Sequence, residues 1–114
     1  NEGLVRQAVI DTWEHEPHIS LPLLDKVYIG TPHIAGYSAD GKVNADNMAL
    51  EALCRHFHLP RPHRIVPPAL PADFIYTGDP LHLYNPLDDS RRLKACPDHF
   101  EELRGNYPLR REKA

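Results

Sequence analysis

Val9-Ile10-Asp11-Thr12-Trp13-Glu14-His15-Glu16-Pro17, followed by Gly30-Thr31-Pro32-His33-Ile34-Ala35-Gly36-Tyr37-Ser38, are the stretches whose reading decides the fold. Residues 4–10 end in an apolar run that suits a strand buried on both faces, the pattern of a parallel sheet covered by helices. It delivers acidic side chains into the loop behind it. Ser20 is placed to cap a short helix over 21–26, with Leu21, Leu23 and Leu24 on its apolar side and Pro22 tolerated in the first turn. Val27-Tyr28-Ile29 reads as a second short strand ended by Gly30. A strand–helix–strand of this size is an α/β remnant, the tail of a sheet rather than a fold in itself.

Outward from these segments, the strongest helical pattern lies between about residues 40 and 58. Leu50, Leu53, Cys54 and Phe57 recur at i, i+3, i+4 and i+7, Met48 and Ala52 widen the stripe, and Asp40 or Ser38 can cap its start. Pro60, Pro62, Pro67, Pro68, Pro71 and Pro80 then forbid a long helix or a central strand, so this stretch reads as an extended connector. Phe74-Ile75-Tyr76 and the alternating Leu81-His82-Leu83-Tyr84 look like strands joined by the turn Gly78-Asp79-Pro80. Two short helices follow, one opened by Asp88-Asp89-Ser90 and anchored by Leu93. The other is opened by Pro97-Asp98, carries Phe100 and Leu103, and ends at Gly105. The tail Arg110-Arg111-Glu112-Lys113 is expected to be exposed. The organisation this predicts is an α/β remnant over 1–58, then a connector and a small α+β region over 59–114.

Composition narrows the function classes. At 114 residues the chain suits one domain, or a small domain with a piece of another, and 41% hydrophobic with 25% charged residues is ordinary for a globular protein. A formal charge of −3, with no Lys/Arg stripe, argues against a nucleic-acid partner. No apolar run approaches the roughly 20 residues needed to span a bilayer, so no membrane role is expected. Cys54 and Cys96 form no CxxC motif and read as reduced thiols of a cytoplasmic protein. The eight histidines include His56-x-His58, but HxH on a helix points its rings in different directions and no zinc spacing occurs. No metal site is expected.

His33 and Glu16 are the candidate catalytic pair. A neutral imidazole can take a proton from a substrate hydroxyl, and a carboxylate on its other nitrogen fixes the tautomer. Glu16 stands just before Pro17, which is expected to hold the loop extended. On residue types alone His33 could equally end a strand beside a solvated Glu16. Tyr37 could be a helix-entry aromatic or a substrate contact, and Lys42 a solvated helix-start lysine or a phosphate partner.

The segments Asp11-x-Trp13-x-x-Glu16-Pro17 and Thr31-Pro32-His33-Ile34-Ala35-Gly36 resemble, in residue type, order and separation, the end of the nucleotide-binding domain of D-2-hydroxyacid dehydrogenases. The resemblance extends through Tyr84-Asn85-Pro86, Asp89-Ser90-x-x-Leu93-Lys94 and Phe100-Glu101-x-Leu103-Arg104-Gly105-x-Tyr107-x-x-Arg110-Arg111-Glu112 to a branch of that family with a C-terminal extension. It implies a Rossmann-like remnant followed by a small α+β dimerisation domain, a homodimer, and NAD as cofactor. It also implies oxidation of 4-phospho-D-erythronate to its 2-oxo acid in pyridoxal phosphate synthesis, in the cytoplasm. By position, His33 would be the proton donor and acceptor and Glu16 its partner carboxylate. Asp11 would face the nicotinamide carboxamide, Gly36 would let the backbone pass close to the cofactor, and Tyr37 would touch substrate. No GxGxxG loop occurs in this sequence, and the substrate-clamping arginine of the family is expected upstream of Asn1. The chain is therefore expected to be a C-terminal fragment, inactive on its own. The alternatives are a dehydrogenase for another 2-hydroxy acid such as 3-phosphoglycerate, or a non-catalytic dimerisation module.

Overall fold

The computed structural model describes residues 3–113, so Asn1 lies outside the described residues. The chain is a small α/β protein with few strands. Its elements are β1 (Val9–Ile10), α1 (Leu21–Lys26), β2 (Ile29–Gly30), α2 (Ala39–His56), α3 (Pro80–Leu83), α4 (Pro86–Ala95), a 3₁₀ turn at Pro97–His99 and α5 (Phe100–Gly105). They form two compact units. One holds the residues up to Ala35 together with Asn85–Pro108; the other holds Gly36–Tyr84 and the segment from Leu109 onward.

In the first unit β1 and β2 pair in parallel, Val9 opposite Ile29 and Ile10 opposite Gly30. The strand expected over residues 4–10 shrinks to two residues, and it is not buried on both faces: Val9 is 66% exposed. β2 is its single strand partner among the described residues, and Ile10 packs against the core. α1 forms as its sequence dictates, because the Ser20 hydroxyl accepts from Leu23 N and proline occupies the first turn. Gly30 has to be glycine. A Cβ there would meet Leu24 Cδ1 at 2.9 Å and the Trp13 ring at 3.0 Å.

The core of this unit comprises Trp13, Ile19, Leu24, Val27, Leu93 and Phe100. Four of these six residues precede the proline-rich stretch and two follow it. Leu93 and Phe100, from beyond that stretch, join the same cluster as Trp13 and Leu24. Polar contacts reinforce the return of α4 onto β2. The buried Ser90 hydroxyl accepts from Gly30 N at 3.0 Å, and Lys94 Nζ donates to Val27 O at 2.7 Å. α4 starts two residues earlier than its acidic cluster suggests, since the Asn85 side chain accepts from Leu87 N and Pro86 opens the helix.

In the second unit Ser38 caps α2 by accepting from Gly41 N. The helix ends where His58, at φ 53°, turns the chain, with Leu59 N donating to Cys54 O and His58 N to Arg55 O. The apolar stripe of α2 is real but largely uncovered: Met48 is 64% and Phe57 60% exposed. The buried residue of the helix is instead Asn47, whose side chain both donates to and accepts from the Ile65 backbone at 2.9 Å.

Two further expectations are corrected here. Leu81–Tyr84 is not a strand, because Asp79 caps a helical turn by accepting from Leu81 N and Pro80 fits its first position. No strand forms at 74–76 either, which leaves Leu81 without a ladder partner. The tail is not simply exposed. Arg111, its side chain 12% exposed, pairs with Asp40 through Nε at 2.9 Å and donates to Pro68 O, and Glu112 accepts from the Ser38 hydroxyl at 2.6 Å. No helix among the described residues is long and apolar enough to cross a membrane.

Candidate active site

The loop after β1 is a tight turn rather than the extended segment expected of Glu16-Pro17. His15 adopts φ 62° and His18 N donates to His15 O at 2.8 Å, while the Glu16–Pro17 peptide is cis. The turn folds the Glu16 carboxylate back onto its own chain, where Oε1 accepts from Trp13 N at 2.8 Å. The other oxygen, Oε2, lies 2.8 Å from His33 Nδ1. An ionised carboxylate can only accept, so Nδ1 carries the proton and Nε2 presents its lone pair outward. The His33 side chain is 43% exposed and that of Glu16 21%, so the imidazole is reachable while its partner is sheltered.

Burial is the largest influence on the Glu16 carboxyl and would raise its pKa. It is outweighed by the His33 hydrogen bond, the Trp13 N–H and the electrostatic influence of His33 and Arg104, and the net shift is downward. In the second unit the Arg111 hydrogen bond is the main reason that Asp40 is also lowered, against its burial and with help from the Glu112 N–H. A carboxyl whose folded pKa is lowered stabilises the folded state fully above the ordinary carboxylate range and loses that contribution as pH falls through it. Urea midpoints should therefore drop between neutral pH and about pH 3. Glu16→Gln and Asp40→Asn should each flatten part of that dependence. Identical pH profiles for both variants and the wild type would contradict these ionic assignments.

His33 is held in a left-handed conformation, φ 55°, which costs a non-glycine residue free energy unless its surroundings enforce it. Asp11 enforces it from the end of β1. Its Oδ1 accepts from the Thr31 hydroxyl at 2.7 Å and from Ile34 N at 2.8 Å, and its Oδ2 accepts from Ala35 N at 3.0 Å. Trp13 Nε1 ties the Glu16 turn to the same segment by donating to Thr31 O at 2.9 Å. From α5, Arg104 Nε donates to His33 O at 3.1 Å. Asp11, Glu16 and His33, named from the sequence, thus meet in the first unit. Gly36 and Tyr37 fall in the second. There Gly36 takes φ 78°, a glycine conformation, and Lys42 Nζ lies 4.5 Å from the centre of the half-buried Tyr37 ring.

Comparison with known proteins bears on what this pair serves. No family model matches the chain. Erythronate-4-phosphate dehydrogenase of Bacteroides thetaiotaomicron is 56% identical over 117 residues, covering 99% of this chain and 34% of that protein. Its namesakes in Bacteroides fragilis, 56% identical over 97% of this chain, and Porphyromonas gingivalis, 45% identical over 96%, match 33% of their own lengths. The chain is a relative of erythronate-4-phosphate dehydrogenase. It spans about a third of the length of the curated relatives it matches.

Relation to erythronate-4-phosphate dehydrogenase makes the nicotinamide end of a cofactor the group to test against these residues. Asp11 uses three of the roughly four acceptor positions of a carboxylate on its own chain, leaving one for a carboxamide N–H. At Gly36 an added Cβ would find nothing within 4 Å, so the surface there is open. Within the first unit, Asp11 thus keeps one acceptor position of a kind that suits a carboxamide. For a pyrophosphate the sequence offers no glycine-rich loop. Among the described residues no group of three or more His, Cys, Asp or Glu side chains is arranged to hold a metal ion. Sequence reasoning missed Trp13, Thr31 and Arg104 as supports of the pair. All three lie inside the quoted segments, but no residue type or spacing marks Arg104, 71 residues beyond His33, as its partner.

Proposed function

We propose that this chain supplies the acid–base half of an NAD-dependent 2-hydroxyacid dehydrogenase that oxidises 4-phospho-D-erythronate to its 2-oxo acid. The observation that carries the reading is the 2.8 Å contact between His33 Nδ1 and Glu16 Oε2, made by an imidazole whose side chain is 43% exposed. In this reading Nε2 takes the proton of the substrate C2 hydroxyl, the C2–H bond breaks, and the C2–O bond becomes a carbonyl. Bound NAD supplies the hydride acceptor. Glu16 keeps Nδ1 protonated and stabilises the imidazolium that forms. Asp11 would meet the nicotinamide carboxamide with its remaining lone pair, and Tyr37 would contact substrate oxygen.

Pairing of β1 with β2 and the α1 crossover support placing the first unit at the end of a Rossmann-like nucleotide-binding region. Pyridoxal phosphate synthesis in the cytoplasm is the setting this reading implies. The test is a chimera of the Bacteroides thetaiotaomicron enzyme with this chain in place of its matching third. It should reduce NAD with 4-phospho-D-erythronate and not with 3-phosphoglycerate. The chain alone should neither bind NAD measurably nor turn over. A chimera that folds but oxidises neither acid would refute the reading.

A homodimer belongs to the same proposal. Ile65, Val66, Ile75 and Leu81 are exposed apolar side chains in the region assigned to dimerisation, and small units commonly gain stability by association. Light scattering over a dilution series of the chain should show a dimer dissociating to a monomer. A monomer at every concentration, with its helices intact, would remove the dimer.

A further inference from the structure

The peptide that follows His33 is gripped at both ends by opposite charges. Its carbonyl oxygen accepts from Arg104 Nε at 3.1 Å, and its N–H, belonging to Ile34, donates to Asp11 Oδ1 at 2.8 Å. The two grips come from distant parts of the sequence, Asp11 from the end of β1 and Arg104 from α5. Each is anchored by something that does not move easily. Asp11 is also bonded to Thr31 Oγ1 and Ala35 N. α5 is fixed by Phe100, which is fully buried in the core, with Leu103 packed against the same cluster.

We propose that Arg104 and Asp11 form a clamp on the His33–Ile34 peptide that sets the orientation of the His33 ring toward Glu16, making Arg104 a positioning residue of the acid–base pair. The inference rests on the reading of His33 and Glu16 as that pair. The physical reason is the left-handed backbone at His33. A β-carbon residue leaves this region readily unless neighbouring groups hold both sides of its peptide. If His33 left this φ, its Cβ and its carbonyl carbon would turn together about the N–Cα bond and Nδ1 would leave Oε2. Arg104 also acts through space, since its positive charge is one of the influences that keep the Glu16 carboxyl low. Arg104 Nη1 also lies 3.9 Å from the Glu101 carboxylate of its own helix.

Two substitutions separate the hydrogen bond from the charge. In Arg104→Lys a methylene takes the place of Nε while the positive charge stays. In Arg104→Gln the charge is lost. NMR on this chain reads both effects, through hydrogen exchange at the Ile34 amide and through pH titration of the Glu16 carboxyl carbon. Lysine should speed Ile34 exchange by about tenfold or more and raise the Glu16 midpoint, because the His33 hydrogen bond that lowers it is lost. Glutamine should speed exchange as much and raise the midpoint further, because the positive charge is lost as well. Unchanged Ile34 exchange in the lysine variant, or an unmoved Glu16 midpoint in a folded glutamine variant, would overturn the clamp. If the glutamine variant fails to fold, judged by Trp13 emission, the lysine variant alone decides on Ile34 exchange. None of these readouts uses catalysis. An inactive chimera with the clamp intact would therefore refute the proposed function and leave this inference standing.

Discussion

In the chimeric enzyme, His33→Ala lowers kcat by about 10²–10⁴-fold with little change in KM. The size follows from the role. A general base acts on the proton only as the C2–H bond breaks, so removing it costs transition-state stabilisation and leaves ground-state binding almost untouched. Glu16→Gln should give a smaller loss, because the imidazole is still present. Its diagnostic is the pH–rate profile. A neutral amide no longer favours imidazolium, so the acidic limb of the oxidation profile should move to lower pH. Steady-state kinetics of both variants across pH is the measurement. A His33→Ala enzyme with near-normal kcat would end the assignment. A Glu16→Gln profile that coincides with the wild type would show that the 2.8 Å contact has no part in catalysis.

Local chemistry in the sequence was a good guide wherever structure is decided within one turn of backbone. The Ser20 and Ser38 caps and the proline in the first turn of α1 act where they stand. Local chemistry misled where two local readings competed. Leu81-His82-Leu83-Tyr84 alternates like a strand, yet Asp79-Pro80 is a helix start, and with no ladder partner the cap wins. Burial was harder to read than helicity. The i, i+3, i+4, i+7 pattern of α2 identifies a helix but not what covers it, and Asn47 is the residue that ends up inside. The site followed the same division. Glu16 and His33 stood out because their residue types and spacing carry the chemistry. Arg104 reaches His33 only because Leu93 and Phe100 bring α4 and α5 back to Trp13 and Leu24, and periodicity within either segment says nothing about that meeting.

That meeting point should dominate the stability of the first unit. Phe100 is fully buried, and it joins a cluster of only six buried hydrophobic residues drawn from both ends of the chain. Truncating such a phenylalanine to alanine costs about 3–5 kcal/mol, as lost transfer free energy and as a cavity the surroundings fill only in part. Domains are stable by about 5–15 kcal/mol, and a core this small leaves the first unit little reserve. Phe100→Ala should therefore unfold it at a urea concentration far below the wild-type midpoint. Trp13, the one tryptophan, lies in the same cluster and reports the event through its fluorescence. The contrast is Phe57→Ala, an identical chemical change at a side chain 60% exposed beside the end of α2. Surface substitutions of that kind shift stability by roughly 0.5 kcal/mol or less. If the two variants gave the same Trp13 midpoint, the cluster would not be what ties α5 to the loop that carries Glu16. The route by which Arg104 arrives at His33 would then need another anchor.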